Sequence, residues 1–313
     1  MRLLITRPLP EQVMQAAAAR FEVTARTSTQ PLSDVELRSA LTDYDVVLPT
    51  LGDLFSAQVF ADVTPRAKLL ANFGVGYNHI DVAAARAAGI AVTNTPGAVT
   101  EATADVALTL MLMTARRAGE GERLVRAGQW QGWHPTQFLG AMVSGKTVGI
   151  IGMGRIGKAI ARRCHYGFGM EVIYHNRSQT EAGLPARQLP LDQVLQADFV
   201  VIAVPGGPAT RHLINAETLA LMQPHAILIN IARGDVIEES ALVAHLAAGK
   251  IAGAGLDVYE REPQISPALL QMQNVTLLPH LGTAVEKVRV DMGMMALQNL
   301  IAHLEGAALP NAV

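Results

Sequence analysis

Thr147-Val148-Gly149-Ile150-Ile151-Gly152-Met153-Gly154-Arg155-Ile156-Gly157 is a short strand that runs straight into a Gly-x-Gly-x-x-Gly turn. A helical pattern, Arg155–Tyr166, follows at once. In that setting each glycine has a physical role. Gly152 permits the tight turn, Gly154 lets the backbone approach a pyrophosphate, and Gly157 allows close helix–strand packing. The helix start, with Arg155 and Ile156 in its first turn, aims N–H groups at the anion. The glycines alone are a weak sign; the strand before and the helix after make them a dinucleotide fingerprint.

The next strand, Glu171–Tyr174, ends in His175-Asn176-Arg177-Ser178. An acidic residue about twenty positions beyond the glycines normally holds the ribose 2′-OH of NAD. No carboxylate stands at this strand end. Arg177 can pair a 2′-phosphate, and Asn176 and Ser178 can donate hydrogen bonds to it. The expected cofactor is therefore NADP(H) by preference, with NAD(H) possible.

Alternation continues downstream through Leu191–Gln196, Phe199–Val204, Ala216–Met222, Ala226–Asn230, Glu239–Ala248, Gly253–Asp257 and Val275–Leu278. Upstream lies an independent series. Strands are expected at Leu3–Thr6, Phe21–Ala25, Asp45–Leu48, Leu69–Phe73 and Ile90–Thr93, with helices at Pro10–Arg20, from Ser33 to Leu41, and at Asp81–Ala88. Ser33 with Glu36 has the form of a capping box. One long helix from Val99 to about Arg126 joins the two series, a polar loop Gly128–Gln137 closes it, and Ala284–Leu304 forms a last amphipathic helix. This pattern predicts an α/β protein of two doubly wound parallel-sheet domains. Residues 99–284 form the dinucleotide-binding domain, of Rossmann type. Residues 1–98 plus 285–313 form a discontinuous substrate-binding domain, and the cleft between them is the default ligand site.

The bulk numbers fit and exclude other classes. The chain has 313 residues, half of them hydrophobic and only 4% aromatic, so aliphatic packing dominates. A formal net charge of −2 gives no nucleic-acid footprint. A single cysteine, Cys164, rules out a disulfide framework or a CxxC metal site within the chain. The histidines show no metal-ligand spacing. The start is too short and polar for a signal peptide, and no apolar run approaches a membrane span, so a cytoplasmic location is expected.

Three segments fall at carboxyl ends of strands in the second series, where α/β ligand sites form. They are Asn230-Ile231-Ala232-Arg233-Gly234, Asp257-Val258-Tyr259-Glu260-Arg261-Glu262-Pro263 and Leu278-Pro279-His280-Leu281-Gly282. His280 suits proton donation, because its ordinary pKa lies near neutrality. A carboxylate beside it, Glu260 or Glu262, would orient it and keep it protonated. Arg233 can grip a substrate carboxylate and polarise a ketone. Taken singly, each has a plainer reading: a packed histidine after a proline, a solvated loop acid, a helix-capping arginine.

Together with Asn72-Phe73-Gly74-Val75-Gly76-Tyr77-Asn78-His79-Ile80-Asp81 and the Val99–Asp105 helix start, these runs resemble the D-isomer-specific 2-hydroxyacid dehydrogenases, and within them the glyoxylate/hydroxypyruvate reductases. The similarity spans nearly the whole chain. The resemblance implies a flavodoxin-like substrate domain and a cofactor-dependent reduction of a small 2-oxo acid to the D-2-hydroxy acid. It selects Glu262, directly before the proline, as the partner of His280. It implies that Val75 and Gly76 bind the substrate carboxylate through backbone N–H groups. It places Thr103, Val204, Pro205, Thr210, Ile231, Ala232, Asp257, His280 and Gly282 around the cofactor, with Asp257 on the nicotinamide carboxamide. A homodimer is also implied. Leu51-Gly52-Asp53 lies at another strand end and is a candidate for the pocket lining. Trp130 and Trp133 are candidates for a subunit contact or for plain packing. The competing class is a nucleotide-sensing corepressor-like protein on the same fold, and the competing enzyme is an NAD-dependent D-2-hydroxyacid dehydrogenase of other substrate preference.

Overall fold

The computed structural model describes every residue except Asp62. The chain divides into two compact units, Met1–Val99 with Thr283–Val313, and Thr100–Gly282.

In the first unit, β1 (Arg2–Ile5), α1 (Glu11–Ala18), β2 (Glu22–Ala25), α2 (Asp34–Asp43), β3 (Val46–Leu48), α3 (Ala57–Phe60), β4 (Leu69–Ala71), α4 (Val82–Ala87) and β5 (Ala91–Thr93) follow one another. The strands pair in parallel in the order β2-β1-β3-β4-β5. That is the flavodoxin-like order. Leu4, Val47, Leu70 and Val92 pack one face against Leu37, Leu41 and Val59. The alternate residues Leu3, Ile5, Val46, Leu48 and Leu69 are buried as well, as a sheet sandwiched between helices requires. The capping box is present: Ser33 accepts from Glu36 N–H, and the Glu36 carboxylate accepts from Ser33 N–H at 2.8 Å. The last helix of the chain, Glu286–Leu304, packs in this unit against α1 and β4.

The second unit contains α5 (Thr100–Ala115), α6 (Ala118–Arg126), β6 (Thr147–Ile151), α7 (Arg155–Arg162), β7 (Glu171–His175), β8 (Arg187–Gln188), α8 (Leu191–Val194), β9 (Phe199–Ile202), α9 (Ala216–Leu219), β10 (Ile227–Asn230), α10 (Glu239–Ala247), β11 (Gly253–Leu256), α11 (Pro267–Gln271) and β12 (Val275–Leu277). Its parallel strands run β12-β11-β10-β9-β6-β7-β8. Counting from β6, this is the Rossmann order with one strand added at an edge. Val200, Ile202, Leu228 and Leu256 feed one core, while Val148, Ile150, Val201 and Ile229 feed the other. The period of two along each strand therefore serves two helical layers.

Three departures from the sequence reading have physical causes. The single long helix is two helices, because Arg117 takes a left-handed φ of 51° between α5 and α6. There the Ala115 carbonyl accepts Ala141 N–H at 2.8 Å, a partner from outside the helix. The pattern at Arg155–Tyr166 is α-helical only to Arg162 and then widens to a π-helical turn, Arg163–Gly167. Finally, α3, β8 and α11 were not expected; they are too short to carry a period, and both β8 residues are exposed. No helix among the described residues is long and apolar enough to cross a membrane, and no group of three or more potential metal ligands is found among them.

Candidate active site

The glycine turn is built for close approach. Gly152 adopts φ 101° with its back against Ala203 and Val204, so any side chain there would collide with backbone. A Cβ on Gly157 would lie 2.1 Å from the Gly152 carbonyl oxygen. Around Gly154, by contrast, there is open space, and no side chain caps α7 there. The first N–H groups of a helix have no intrahelical acceptor. An exposed turn lined with such donors fits a dinucleotide pyrophosphate, so the residues present suit the cofactor that this fold implies.

The strand-end loop 176–180 is already ordered. Asn176 accepts from Met153 N–H at 3.2 Å and donates to Thr180 Oγ1 at 2.9 Å, which ties it to the glycine turn. Gln188 from β8 donates to the Asn176 and Ser178 carbonyls, both at 3.1 Å. Arg177 and Ser178 are exposed. The amide of Asn176 is thus engaged inside the loop, and Arg177 and Ser178 remain as its outward groups. Val204, Pro205 and Thr210 follow β9, with Thr210 Oγ1 closing the loop on the Pro205 carbonyl at 2.6 Å.

Arg233, Glu262 and His280 follow β10, β11 and β12 in one unit. His280 Nδ1 lies 2.9 Å from Glu262 Oε2, with side-chain exposures of 29% and 31%. Burial pushes the Glu262 carboxyl up, but the His280 hydrogen bond and charge, Tyr259 N–H and Arg233 together hold it below the ordinary glutamate value. Burial draws the Arg233 guanidinium down, opposed by the charges of Glu262 and Asp235. Arg233 also donates to the Ala232 carbonyl at 2.7 Å, while Asn230 braces its backbone from both sides, accepting from Ala232 N–H and donating to the Arg233 carbonyl.

His280 itself is left-handed, with φ 54°. Asp257 supports that turn: its carbonyl accepts His280 N–H, and its carboxylate accepts Leu281 N–H at 2.6 Å and Gly282 N–H at 2.8 Å. Asp257 is 1% exposed, and burial raises its pKa despite those two bonds. Thr103 donates to the Gly282 carbonyl at 3.0 Å. Ile231 and Ala232 are buried at the end of β10. Glu260, the other acid considered for His280, is taken by His212 Nε2 at 2.8 Å and by Glu239 N–H at 3.1 Å.

In the first unit, Gly74-Val75-Gly76 follows β4. Asn72 Nδ2 donates to the Gly74 and Gly76 carbonyls at 3.0 and 3.1 Å, and Asn94 Nδ2 donates to the Val75 carbonyl at 2.8 Å. Three successive carbonyls are tied back by amides. Among the described residues, no acceptor is found for the Val75 and Gly76 N–H groups. Such a row of N–H groups is an anion nest. The roles of Asn72 and Asn94 were missed in the sequence, although Asn72 opens the run that carried the resemblance. Leu51 is exposed beside Asp53, which is fully buried and bound to Thr6 and Arg7.

Residues 108–282 match the family model described as D-isomer specific 2-hydroxyacid dehydrogenase, NAD binding domain. The chain is 44% identical over 320 residues to a glyoxylate reductase of Thermococcus onnurineus, covering 100% of this chain and 95% of that one. A protein from Thermus thermophilus superposes with a TM-score of 0.93 at 41% identity, with complete coverage of both chains. An NADPH-dependent glyoxylate/hydroxypyruvate reductase from Sinorhizobium meliloti, solved with NADP and malonate, gives 0.87 at 35% identity, covering 100% of this chain and 96% of that one.

Proposed function

Because the chain belongs to the D-isomer specific 2-hydroxyacid dehydrogenase family, we propose that it reduces a small 2-oxo acid of the glyoxylate or hydroxypyruvate type to the D-2-hydroxy acid, with NADPH preferred over NADH. The observation that carries this reading is the His280–Glu262 pair at 2.9 Å on neighbouring strand ends with Arg233. A nicotinamide cofactor, when bound, supplies the hydride that the 2-oxo carbon accepts. The chain's own work is binding and proton delivery. Glu262 occupies His280 Nδ1, which leaves Nε2 to protonate the carbonyl oxygen. Arg233 pairs with the substrate carboxylate and draws electron density toward the ketone oxygen. The family resemblance assigns the Val75 and Gly76 N–H groups, whose carbonyls are tied back by amides, to a substrate carboxylate as well.

Gly152, Gly154, Arg155, Ile156 and Gly157 hold the pyrophosphate in this reading, and Arg177 with Ser178 holds the 2′-phosphate. Val204, Pro205, Thr210, Ile231, Ala232 and Thr103 line the remaining cofactor site. Asp257 and Gly282, assigned with His280 to the nicotinamide end of the cofactor by the resemblance, also fix the loop that presents His280. The single thiol, Cys164, is buried, and that burial pushes its pKa up to about 12, so it is inert. The exposed apolar side chains Val125, Trp130, Trp133, Leu139 and Met142 support a homodimer.

A panel of 2-oxo acids assayed with NADPH and NADH tests the reading. Glyoxylate or hydroxypyruvate with NADPH should give the highest kcat/KM, and Arg177→Ala should lower kcat/KM for NADPH about tenfold or more while sparing NADH. Preference of the parent for NADH by a wide margin would overturn the cofactor assignment.

A further inference from the structure

A second imidazole–carboxylate pair shares the β11 end with the first, its imidazole coming from the loop after β9. His212 Nε2 lies 2.8 Å from Glu260 Oε1, two residues before Glu262. The pair is locked into its surroundings. Glu260 Oε2 accepts Glu239 N–H at 3.1 Å, and Glu260 N–H donates to Glu239 Oε2 at 3.3 Å. His212 N–H donates to the Asp235 carbonyl at 2.8 Å. Like His280, His212 is left-handed, with φ 49°. Non-glycine residues rarely adopt that region unless neighbouring structure holds them there, and such residues cluster at functional sites.

The loop that carries His212 also touches Arg233. It begins at Pro205 and closes on itself through Thr210 Oγ1 to the Pro205 carbonyl and Arg211 N–H to the Gly207 carbonyl. Gly206 lies against the methylene stem of Arg233, where a Cβ would come 2.6 Å from Cγ. Gly234, the residue after Arg233, is pressed onto the Tyr259–Glu260 backbone in the same way. One closed loop therefore braces Arg233 at one end and grips the Glu262 segment at the other.

We propose that His212 and Glu260 are positioning residues whose bond holds loop 205–212 against Arg233 and keeps Arg233 and Glu262 in mutual register. This rests on the reading that Arg233 grips the substrate. The imidazole donates to a carboxylate fixed by Glu239, so the loop cannot withdraw from the guanidinium stem without breaking a bond at its far end. Neither residue is assigned contact with substrate.

The test uses the full-length protein with glyoxylate and NADPH. His212→Ala should lower kcat/KM for glyoxylate about tenfold when measured at saturating NADPH, since the same loop also carries Pro205 and Thr210. His212→Gln, whose amide reaches Glu260, should recover most of the loss. In an Arg233→Lys background, His212→Ala should add less than about a twofold further loss, because its effect runs through Arg233. Should His212→Ala not fold, His212→Asn serves instead; it tolerates the left-handed backbone, but its amide falls short of Glu260. Glyoxylate kinetics of His212→Ala within about twofold of the parent, or losses that multiply in full with Arg233→Lys, would overturn the proposal. An unimpaired Arg233→Lys would instead sink the catalytic reading on which it rests.

Discussion

At the scale of the residue, chemistry is set by what occupies each polar atom. Glu262 and Glu260 are two positions apart on one loop, yet one meets His280 and the other His212. Sequence resemblance picked Glu262; side-chain reasoning left both open, because loop direction is not written in residue type. The Asn72 and Asn94 amides escaped the sequence reading for a similar reason: their role depends on carbonyls brought together by the fold. Glu262 yields a pH prediction. Burial raises its pKa, but His280, Tyr259 N–H and Arg233 bring it below the ordinary 4.5 in the folded chain. A carboxyl with a depressed folded pKa stabilises fully above its unfolded value and loses that contribution as pH falls through the folded one. The Tm gap between the parent and Glu262→Gln should therefore be widest at about pH 6–7 and shrink below about pH 4.5. A gap that widens on acidification would contradict the assignment.

At the scale of the element, strands were legible wherever apolar runs were bounded by turns, and β6 was read to the residue. Helix breaks were not, because the interruption at Arg117 depends on Ala141 binding the Ala115 carbonyl from a distant part of the chain. The glycine turn was legible because its constraint is local and steric. Gly157→Ala would drive a methyl group to 2.1 Å from the Gly152 carbonyl, between two pieces of backbone. Overpacking of this kind costs roughly 1–3 kcal/mol. The Gly157→Ala protein should melt several degrees lower and bind NADPH at least about tenfold more weakly by titration. Unchanged affinity would mean that the pyrophosphate is held elsewhere.

For the whole molecule, two parallel sheets of distinct strand order were expected and are present, the five-stranded one in one unit and the seven-stranded one in the other. The alternation of periods showed two βα series, while the strand orders followed from the glycine turn and the family resemblance. Association was less legible, since an exposed Trp133 reads the same in a sequence whether it meets solvent or a partner. With Trp130 at 54% and Trp133 at 80% exposure in the chain alone, light scattering should give twice 33.3 kDa, and Trp130→Glu with Trp133→Glu should shift that mass toward one chain. A monomeric parent would remove the proposed dimer. The central claim is that His280, oriented by Glu262, delivers the proton to a 2-oxo acid. The most direct measurement is stopped-flow NADPH oxidation with glyoxylate by the parent and His280→Ala, alongside NADPH binding. The predicted result is intact binding with a loss of about 10²–10⁴ in kcat; turnover within a few-fold of the parent would contradict the account.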